Sequence, residues 1–349
     1  MRTTLAGLCV ALLLAGCSSA APSAVSGPTS APPSSPPAAA ASDALALERA
    51  FERVITQVLP SIVQINTRVG LGSGIVYDAK GHIVTNAHVV GQAREMEVTL
   101  ATGGAPRPAR LVFSFPQGDL AVIKVEDAGG LRPARFGDSS KLRVGQIVLA
   151  MGNPLGLTGS VTNGIVSATG RTVSEPQPGG VIANAIQTSA AINPGNSGGA
   201  LVNLAGEVIG IPTLAATNPE LGGGAAPGIG FAIPSNTATD VANQIIEHGK
   251  VVNTRRAALG IRGNTVIGGN GSPSGVLVFG VVPGGAAAKA GIQPGEVIVS
   301  VDGTATPTMA ALAEALARFQ PGDQAKVEVI RLDGSRETVT VTLGELQAE

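Results

Sequence analysis

The chain has 349 residues, with 23 basic and 24 acidic side chains, a net charge of −1 and only 13% charged residues, so it lacks the basic field that holds nucleic acid. Seven Phe, one Tyr and no Trp leave the core to Val, Ile, Leu and Ala and exclude base-stacking platforms. The length suits two globular units, and 48 glycines with 24 prolines predict many turns between short strands.

In chain order, Arg2 precedes an apolar run from Leu5 to Leu14. That run is too short to span a bilayer and reads as the core of a secretory signal over residues 1–16. Leu14-Ala15-Gly16-Cys17 resembles the bacterial lipobox, which makes Cys17 an acylated mature N-terminus and the protein a lipoprotein held at the cell envelope. Ser18 offers no aspartate to retain it, which suits an outer membrane if the host has one, so the anchor is expected in the cell membrane or the outer membrane. With Cys9 removed and Cys17 acylated, no thiol is left for a disulfide, and the fold must rely on packing. The remainder of 17–42 is almost entirely Ala, Ser and Pro, a composition that cannot bury a core and predicts a tether.

Ser42 and Asp43 are placed to cap a helix whose apolar residues Leu47, Phe51, Val54, Ile55 and Val58 recur at helical spacing, with Pro60 as its stop. From Ser61 onward short β-rich runs take over: 62–67, 74–77, 82–85, 97–100, 120–125, 146–151, 160–169, 185–188, 200–204, 208–213 and 230–233. Strands in series without intervening helices predict antiparallel barrels or sandwiches and argue against a doubly wound sheet. Ser235 to His248 is a helix with a Ser/Asn cap and Gly249 at its end, and Lys250 to Arg256 reads as a solvated hinge. Beyond it, two strands, a short helix at 286–290, a strand at 297–301, a helix at 309–319 and two strands around Asp333-Gly334 predict a small α+β module. The boundaries read as 43–250 for the first unit and 256–346 for the second.

Only three histidines exist, His82, His88 and His248, so any imidazole base is one of them. Asn193-Pro194-Gly195-Asn196-Ser197-Gly198-Gly199 surrounds a serine with small residues that let backbone amides converge, which makes Ser197 the nucleophile candidate and the amides of Gly195 and Ser197 an oxyanion hole. Gly195-x-Ser197-x-Gly199 also fits the nucleophile elbow of α/β hydrolases, but that order needs a later histidine, and only His248 at a helix end follows. The order His, Asp, Ser has better members: His88 just past a strand, and Asp119 directly before the apolar strand 120–125. His82 reads as a solvated strand edge, and Asp127 and Asp138 as exposed turn residues.

Thr85-Asn86-Ala87-His88-Val89-Val90, Gly118-Asp119-Leu120-Ala121-Val122 and Ala191-Ile192-Asn193-Pro194-Gly195-Asn196-Ser197-Gly198-Gly199 together resemble the three catalytic blocks of the HtrA (DegP-like) serine proteases. Gly152-Asn153-Pro154-Leu155-Gly156, Val161 to Ser167 and Gly228 to Pro234 are similar to further stretches of that family, over about residues 45 to 345. The resemblance implies a mainly β protein, a trypsin-like double β-barrel followed by a PDZ domain. It also implies ATP-independent cleavage of unfolded or damaged proteins outside the cytoplasm, commonly by a homotrimer. Ser197 is then the nucleophile, His88 the base and Asp119 the group that fixes its tautomer. Ser189 stands where the family usually has Asp, and Ala200 where Pro is usual. Gly210–Leu214 and Gly228–Ile233 would border a specificity pocket without an acidic residue, which predicts cleavage after small aliphatic residues. Ala258-Leu259-Gly260-Ile261 resembles the PDZ carboxylate-binding loop, with Ala258 replacing an aromatic, so Leu259, Gly260 and Ile261 are expected to hold a peptide C-terminus added to the sheet edge. No metal or cofactor is implied, because the histidines are scattered and the Gly222–Gly224 run lacks the Lys-Ser/Thr ending of a phosphate loop. A non-cleaving adaptor built on the same peptide groove is the competing reading.

Overall fold

The computed structural model describes residues 38–68, 70–153, 159–174, 181–193, 195–218, 224–269 and 271–347. Cys17, the signal segment and most of the tether lie outside these residues, as do 154–158 and 219–223. Residues Ala46–Glu349 form one compact unit. Among the described residues no helix is long and apolar enough to cross a membrane.

Helix α1 runs from Ala38 to Val58. It begins four residues before the expected cap, since Ala38 to Ala41 are the strongest helix formers available and carry the helix through Ser42 and Asp43. Val54 and Val58 are buried and Phe51 and Ile55 pack beside them, and Pro60 falls in a single 3₁₀ turn, Leu59–Ser61, that ends the run.

Six strands follow: β1 (Ile62–Asn66), β2 (Leu71–Val76), β3 (His82–Thr85), β4 (Glu95–Leu100), β5 (Arg107–Phe115) and β6 (Leu120–Val125). They close a barrel in the order β1-β2-β3-β6-β5-β4. Strand β5 was not among the expected runs. Its sequence, Arg-Pro-Ala-Arg-Leu-Val-Phe-Ser-Phe, breaks alternation because the register slips between Leu111 and Phe113, and a bulge of that kind moves side chains to the opposite face. A second barrel is built from β7 (Ile147–Gly152), β8 (Ser160–Ser174), β9 (Val181–Thr188), β10 (Ala200–Asn203), β11 (Val208–Asn218) and β12 (Gly224–Pro234), in the order β10-β11-β12-β9-β8-β7. The 219–223 gap places most of the glycine run outside the described residues, and Gly224 opens β12.

The burial explains why these strands read as continuous apolar runs. Ala121, Ile123 and Val125 of β6 fill the first barrel with Val63, Ile65, Val76 and Ile83. Leu120 and Val122, on the opposite face of the same strand, join Leu149, Met151, Ala200, Val202 and Ile211 of the second barrel. Both faces are dry, so the period of two disappears. The second barrel holds its own interior of Val148, Ala150, Val166, Ile186, Leu201 and Ile209. Aliphatic side chains fill both barrels, with Met96 among them in the first, and Tyr77 meets Phe136 in a tilted pair with centroids 5.3 Å apart, its hydroxyl donating to Asn243 Oδ1 at 2.6 Å.

Asn243 lies on α3 (Ser235–His248), which packs Ala238, Val241, Ala242 and Ile245 on the inter-barrel core. The expected Ser/Asn cap is absent: Pro234 is the cap residue, and Ser235 Oγ donates to the Gly137 carbonyl (2.7 Å) instead. Gly249 ends the helix in the left-handed conformation (φ 72°). The connector that follows is only half solvated. Arg255 is exposed and pairs with Asp240 at 2.9 Å, but Arg256 is partly buried, its guanidinium donates to the Gln117 carbonyl, and desolvation pulls its pKa from 12.5 down to about 10.

The last module pairs β13 (Ala257–Ala258) with β20 (Gly344–Glu345) and forms a sheet from β14 (Ile261–Ile267), β15 (Pro273–Val281), β16 (Val297–Val301), β18 (Gln324–Ile330) and β19 (Arg336–Thr342), with β17 (Thr304–Ala305) hairpinned on β16. Helices α4 (Ala286–Lys289) and α5 (Met309–Leu316) cover it. Thr308 caps α5 by accepting from Ala311 N at 3.0 Å, and Leu312 and Leu316 enter a core with Val276, Val278, Ile298 and Val327. The helix ends three residues before the expected Phe319, which still packs against that core. β14 is an edge strand.

His82 differs from expectation. It is buried, 7% exposed, because Asp78 at the start of the β2–β3 turn folds under it: Asp78 Oδ1 accepts from the backbone of Lys80 (2.9 Å) and His82 (3.1 Å), and Oδ2 lies 2.7 Å from His82 Nδ1. Burial alone would raise the Asp78 pKa, but the His82 bonds outweigh it and hold the carboxyl below its ordinary 3.8. A folded value below the unfolded one means that the carboxylate's contribution is fully present above about pH 4 and disappears as pH falls through the folded value. Urea melts at pH 5 and pH 3 should therefore show wild type losing more stability on acidification than Asp78→Asn; parallel losses would refute the assignment.

Candidate active site

β3 ends at Thr85, and Asn86 leads into the single helical turn α2 (Ala87–Val90), which lifts His88 to the barrel rim with a side chain 32% exposed. Asp119 follows a 3₁₀ turn, Pro116–Gly118, and precedes β6. It is 2% exposed and holds a left-handed backbone at φ 51°, a conformation that costs a non-glycine residue about 1–2 kcal/mol. The surroundings offset that strain. The Asp119 carbonyl accepts from Asn86 Nδ2 at 2.9 Å, and its carboxylate accepts from the His88 backbone N–H at 3.0 Å and from Thr213 Oγ1 at 2.5 Å. His88 Nδ1 sits 3.0 and 2.9 Å from the two Asp119 oxygens, a geometry that favours the Nδ1–H tautomer and leaves Nε2 as the basic lone pair.

Ser197 comes from the opposite barrel. The loop before β10 is tied by its own backbone: Asn196 N donates to Asn193 O (3.1 Å), Gly199 N to Asn196 O (3.0 Å) and Gly198 N to Pro212 O (3.0 Å). The buried Asn196 amide accepts from Asn193 N and donates to the Ala191 carbonyl, both at 3.1 Å. Gly195 and Gly198 adopt φ of 104° and 80°, values L side chains rarely adopt. Ser197 Oγ donates to the Thr213 carbonyl at 3.0 Å, so its proton must turn away from Thr213 before it can pass to the imidazole. Thr213 thus touches both ends of the site, its hydroxyl on Asp119 and its carbonyl on Ser197.

His88 and Asp119 therefore meet on one barrel, with Ser197 joined to them through Thr213 of the other. His248 stays apart at the end of α3, where its Nε2 lies 4.0 Å from Glu247. Asp127 and Asp138 are exposed turn residues. Sequence reading missed Asn86, Thr213 and Ser73. Ser73 alone carried a signal: a serine between two glycines in an apolar strand marks a close backbone approach. Ser189 Oγ accepts from Ile165 N at 3.0 Å, a β8 contact. Along β12, a Cβ on Gly230 would fall 2.4 Å from Ile192 Cγ1, so the strand packs directly on the apolar side chain of Ile192 before the serine loop.

In the last module, the Leu259 carbonyl accepts from Ala287 N and the Gly260 carbonyl from Val282 N, both at 2.8 Å, with Gly260 left-handed at φ 70°. Because a trans peptide points N–H opposite to C=O, the Gly260 N–H is turned away from α4.

Two antiparallel six-stranded barrels, a His-Asp pair at the rim of one and a glycine-bound serine on the other are the architecture of trypsin-like peptidases. A family model described as a trypsin-like peptidase domain matches residues 72–211, and one described as a PDZ domain matches 236–343, taking in α3. The periplasmic pH-dependent serine endoprotease DegQ of Escherichia coli K12 is 41% identical over 281 residues, 78% of this chain and 59% of DegQ. The serine protease PepD of Mycobacterium tuberculosis H37Rv is 39% identical over 308 residues, 82% of this chain and 64% of PepD. The solved HtrA-type protease AlgW with a decapeptide superposes with a TM-score of 0.57 at 32% identity, covering 86% of this chain and 99% of AlgW. The chain belongs to the HtrA family. It spans about three-fifths of the length of the curated relatives DegQ and PepD.

Proposed function

We propose that the protein is a serine endopeptidase that cleaves unfolded or damaged proteins outside the cytoplasm without ATP. The observation that carries the proposal is the clamp of His88 Nδ1 between both oxygens of a buried Asp119, joined through Thr213 to Ser197. Ser197 Oγ attacks the scissile carbonyl and His88 Nε2 takes its proton. The amides of Gly195 and Ser197 receive the developing oxyanion, and His88 returns the proton to the leaving amine. Water then repeats the sequence on the acyl-enzyme. Asp119 holds the tautomer and balances the imidazolium charge. The apolar contact of Gly230 with Ile192 and the lack of an acidic residue in 210–214 and 228–233 support cleavage after small aliphatic residues.

The segment Leu259, Gly260 and Ile261 binds the C-terminus of a peptide, which extends the sheet along the free edge of β14. The outward Gly260 N–H supports this reading. Domain limits of 43–250 and 256–346, acylation of Cys17, attachment to a membrane of the cell envelope and assembly as a homotrimer complete the proposal.

The test is digestion of casein by the purified chain beside Ser197→Ala, with a fluorophosphonate that labels only an activated serine. Ser197→Ala should lower kcat by about 10⁶-fold and block labelling, while His248→Ala keeps both. Equal cleavage by Ser197→Ala, or no labelling of wild type under peptide ligand and heat, would leave the adaptor reading.

A further inference from the structure

Ser73 lies at the centre of β2 between Gly72 and Gly74 and is 0% exposed. A fully buried hydroxyl in an apolar barrel strand carries a desolvation penalty unless it is satisfied. Its partners lie across the boundary between the barrels. Ser73 Oγ donates to the Gly195 carbonyl at 2.5 Å and accepts from the Asn153 N–H at 2.8 Å. Its backbone N–H donates to the Ser197 carbonyl at 2.9 Å, and its own carbonyl accepts from Thr85 Oγ1 at 2.6 Å, one residue before the Asn86 that steadies Asp119.

Gly195 and Ser197 are the residues whose amides the proposed mechanism aims at the oxyanion, and both of their carbonyls rest on Ser73. Gly195 has no Cβ to restrict it and stands at φ 104°, so its own backbone is not confined to that conformation by local sterics. Holding the carbonyl removes one of its soft dihedrals. The fit leaves no slack: a Cβ on Gly152 would lie 2.8 Å from Ser73 Oγ, and one on Gly198 would lie 2.2 Å from the Ser73 carbonyl oxygen.

We propose that Ser73 is the positioning residue of the oxyanion hole, a hydroxyl on the histidine-bearing barrel that sets the nucleophile loop of the other. The inference rests on the reading of Ser197 as nucleophile with the Gly195 and Ser197 amides as oxyanion donors. It makes the site dependent on barrel-to-barrel registry, because the donors are oriented by a residue 122 positions away.

Ser73→Ala keeps the shape and the backbone bond to the Ser197 carbonyl and deletes the hydroxyl bond that holds the Gly195 carbonyl. On a fluorogenic peptide, kcat should fall about 10²–10³-fold, the range for losing one oxyanion donor, with KM within threefold. Affinity for a peptidyl trifluoromethyl ketone, whose tetrahedral adduct places an oxyanion in the hole, should fall in parallel. Product-peptide affinity, measured in a Ser197→Ala background, should not change. Ser73→Cys, which retains a weak donor, should be intermediate, and it carries the measurement if Ser73→Ala melts below the assay temperature. Unchanged kcat in Ser73→Ala with an inert Ser197→Ala overturns the role of Ser73 alone. A rise in KM at constant kcat, or a fall in kcat without weaker ketone binding, overturns it as well. Full activity in both Ser73→Ala and Ser197→Ala overturns the mechanism beneath it.

Discussion

Asp119→Asn is expected to lower kcat by about 10⁴-fold, the size of this exchange in Ser-His-Asp proteases, with little change in the thermal transition. The carboxylate is acceptor-only and is surrounded by donors: the His88 backbone N–H, His88 Nδ1 and Thr213 Oγ1. A carboxamide must present an N–H2 to one of them. Turned toward His88 it forces the proton to Nε2, where the ring can no longer act as a base. Turned toward Thr213 it keeps the tautomer but removes the negative charge that balances the imidazolium. Either orientation preserves the packing of a residue 2% exposed, so the loss falls on rate rather than on folding. Peptide hydrolysis with circular dichroism on the same sample checks this, and a variant within tenfold of wild type would remove Asp119 from the mechanism.

Gly198→Ala should damage both folding and activity. Gly198 stands at φ 80°, and a Cβ there would fall 2.2 Å from the Ser73 carbonyl oxygen, 2.4 Å from Thr85 Oγ1 and 3.2 Å from Asn86 N. Two of those three atoms are backbone and cannot rotate away. Left-handed strain of about 1–2 kcal/mol and overpacking of about 1–3 kcal/mol together cost on the order of 2–5 kcal/mol. At roughly 2–4 °C per kcal/mol for a domain of this size, the melting temperature should drop by about 4–20 °C. Relief of the clash pulls Gly198 N from the Pro212 carbonyl and shifts Ser197, so the surviving folded fraction should cleave at least about 10²-fold more slowly. A melting temperature within 2 °C of wild type would contradict the contact geometry.

Parts of the site were legible before any coordinates because the chain is sparse in chemistry. Three histidines leave few choices for a base, and a serine among small residues announces a backbone-lined loop. The order of His88, Asp119 and Ser197 favoured one arrangement over the elbow alternative. The supporting residues were a different matter. Thr213 and Ser73 inside strands and Asn86 just past one are ordinary small polar residues, and their partners lie 94, 122 and 33 positions away. Apart from the two glycines that flank Ser73, spacing along the chain carries no trace of such contacts.

The same division holds for structure. Strand β3 at His82–Thr85 and β6 at Leu120–Val125 have the expected ends, because β-branched runs between turn residues specify extended backbone locally. β5 escaped notice because its bulge breaks the alternation, and His82 looked exposed because a preceding Gly-containing turn says nothing of the Asp78 carboxylate that buries it.

By itself the amino-acid order determined where the backbone extends, where it turns and which few groups are able to do chemistry, since these depend on local sterics and on residue type. Barrel closure decided the rest. A strand dry on both faces has lost the alternation that would tell its inner side from its outer side, so only the tertiary structure could decide that Leu120 faces the second barrel while Ala121 faces the first. That choice in turn brings Ser73 and Thr213 to the serine loop and to Asp119.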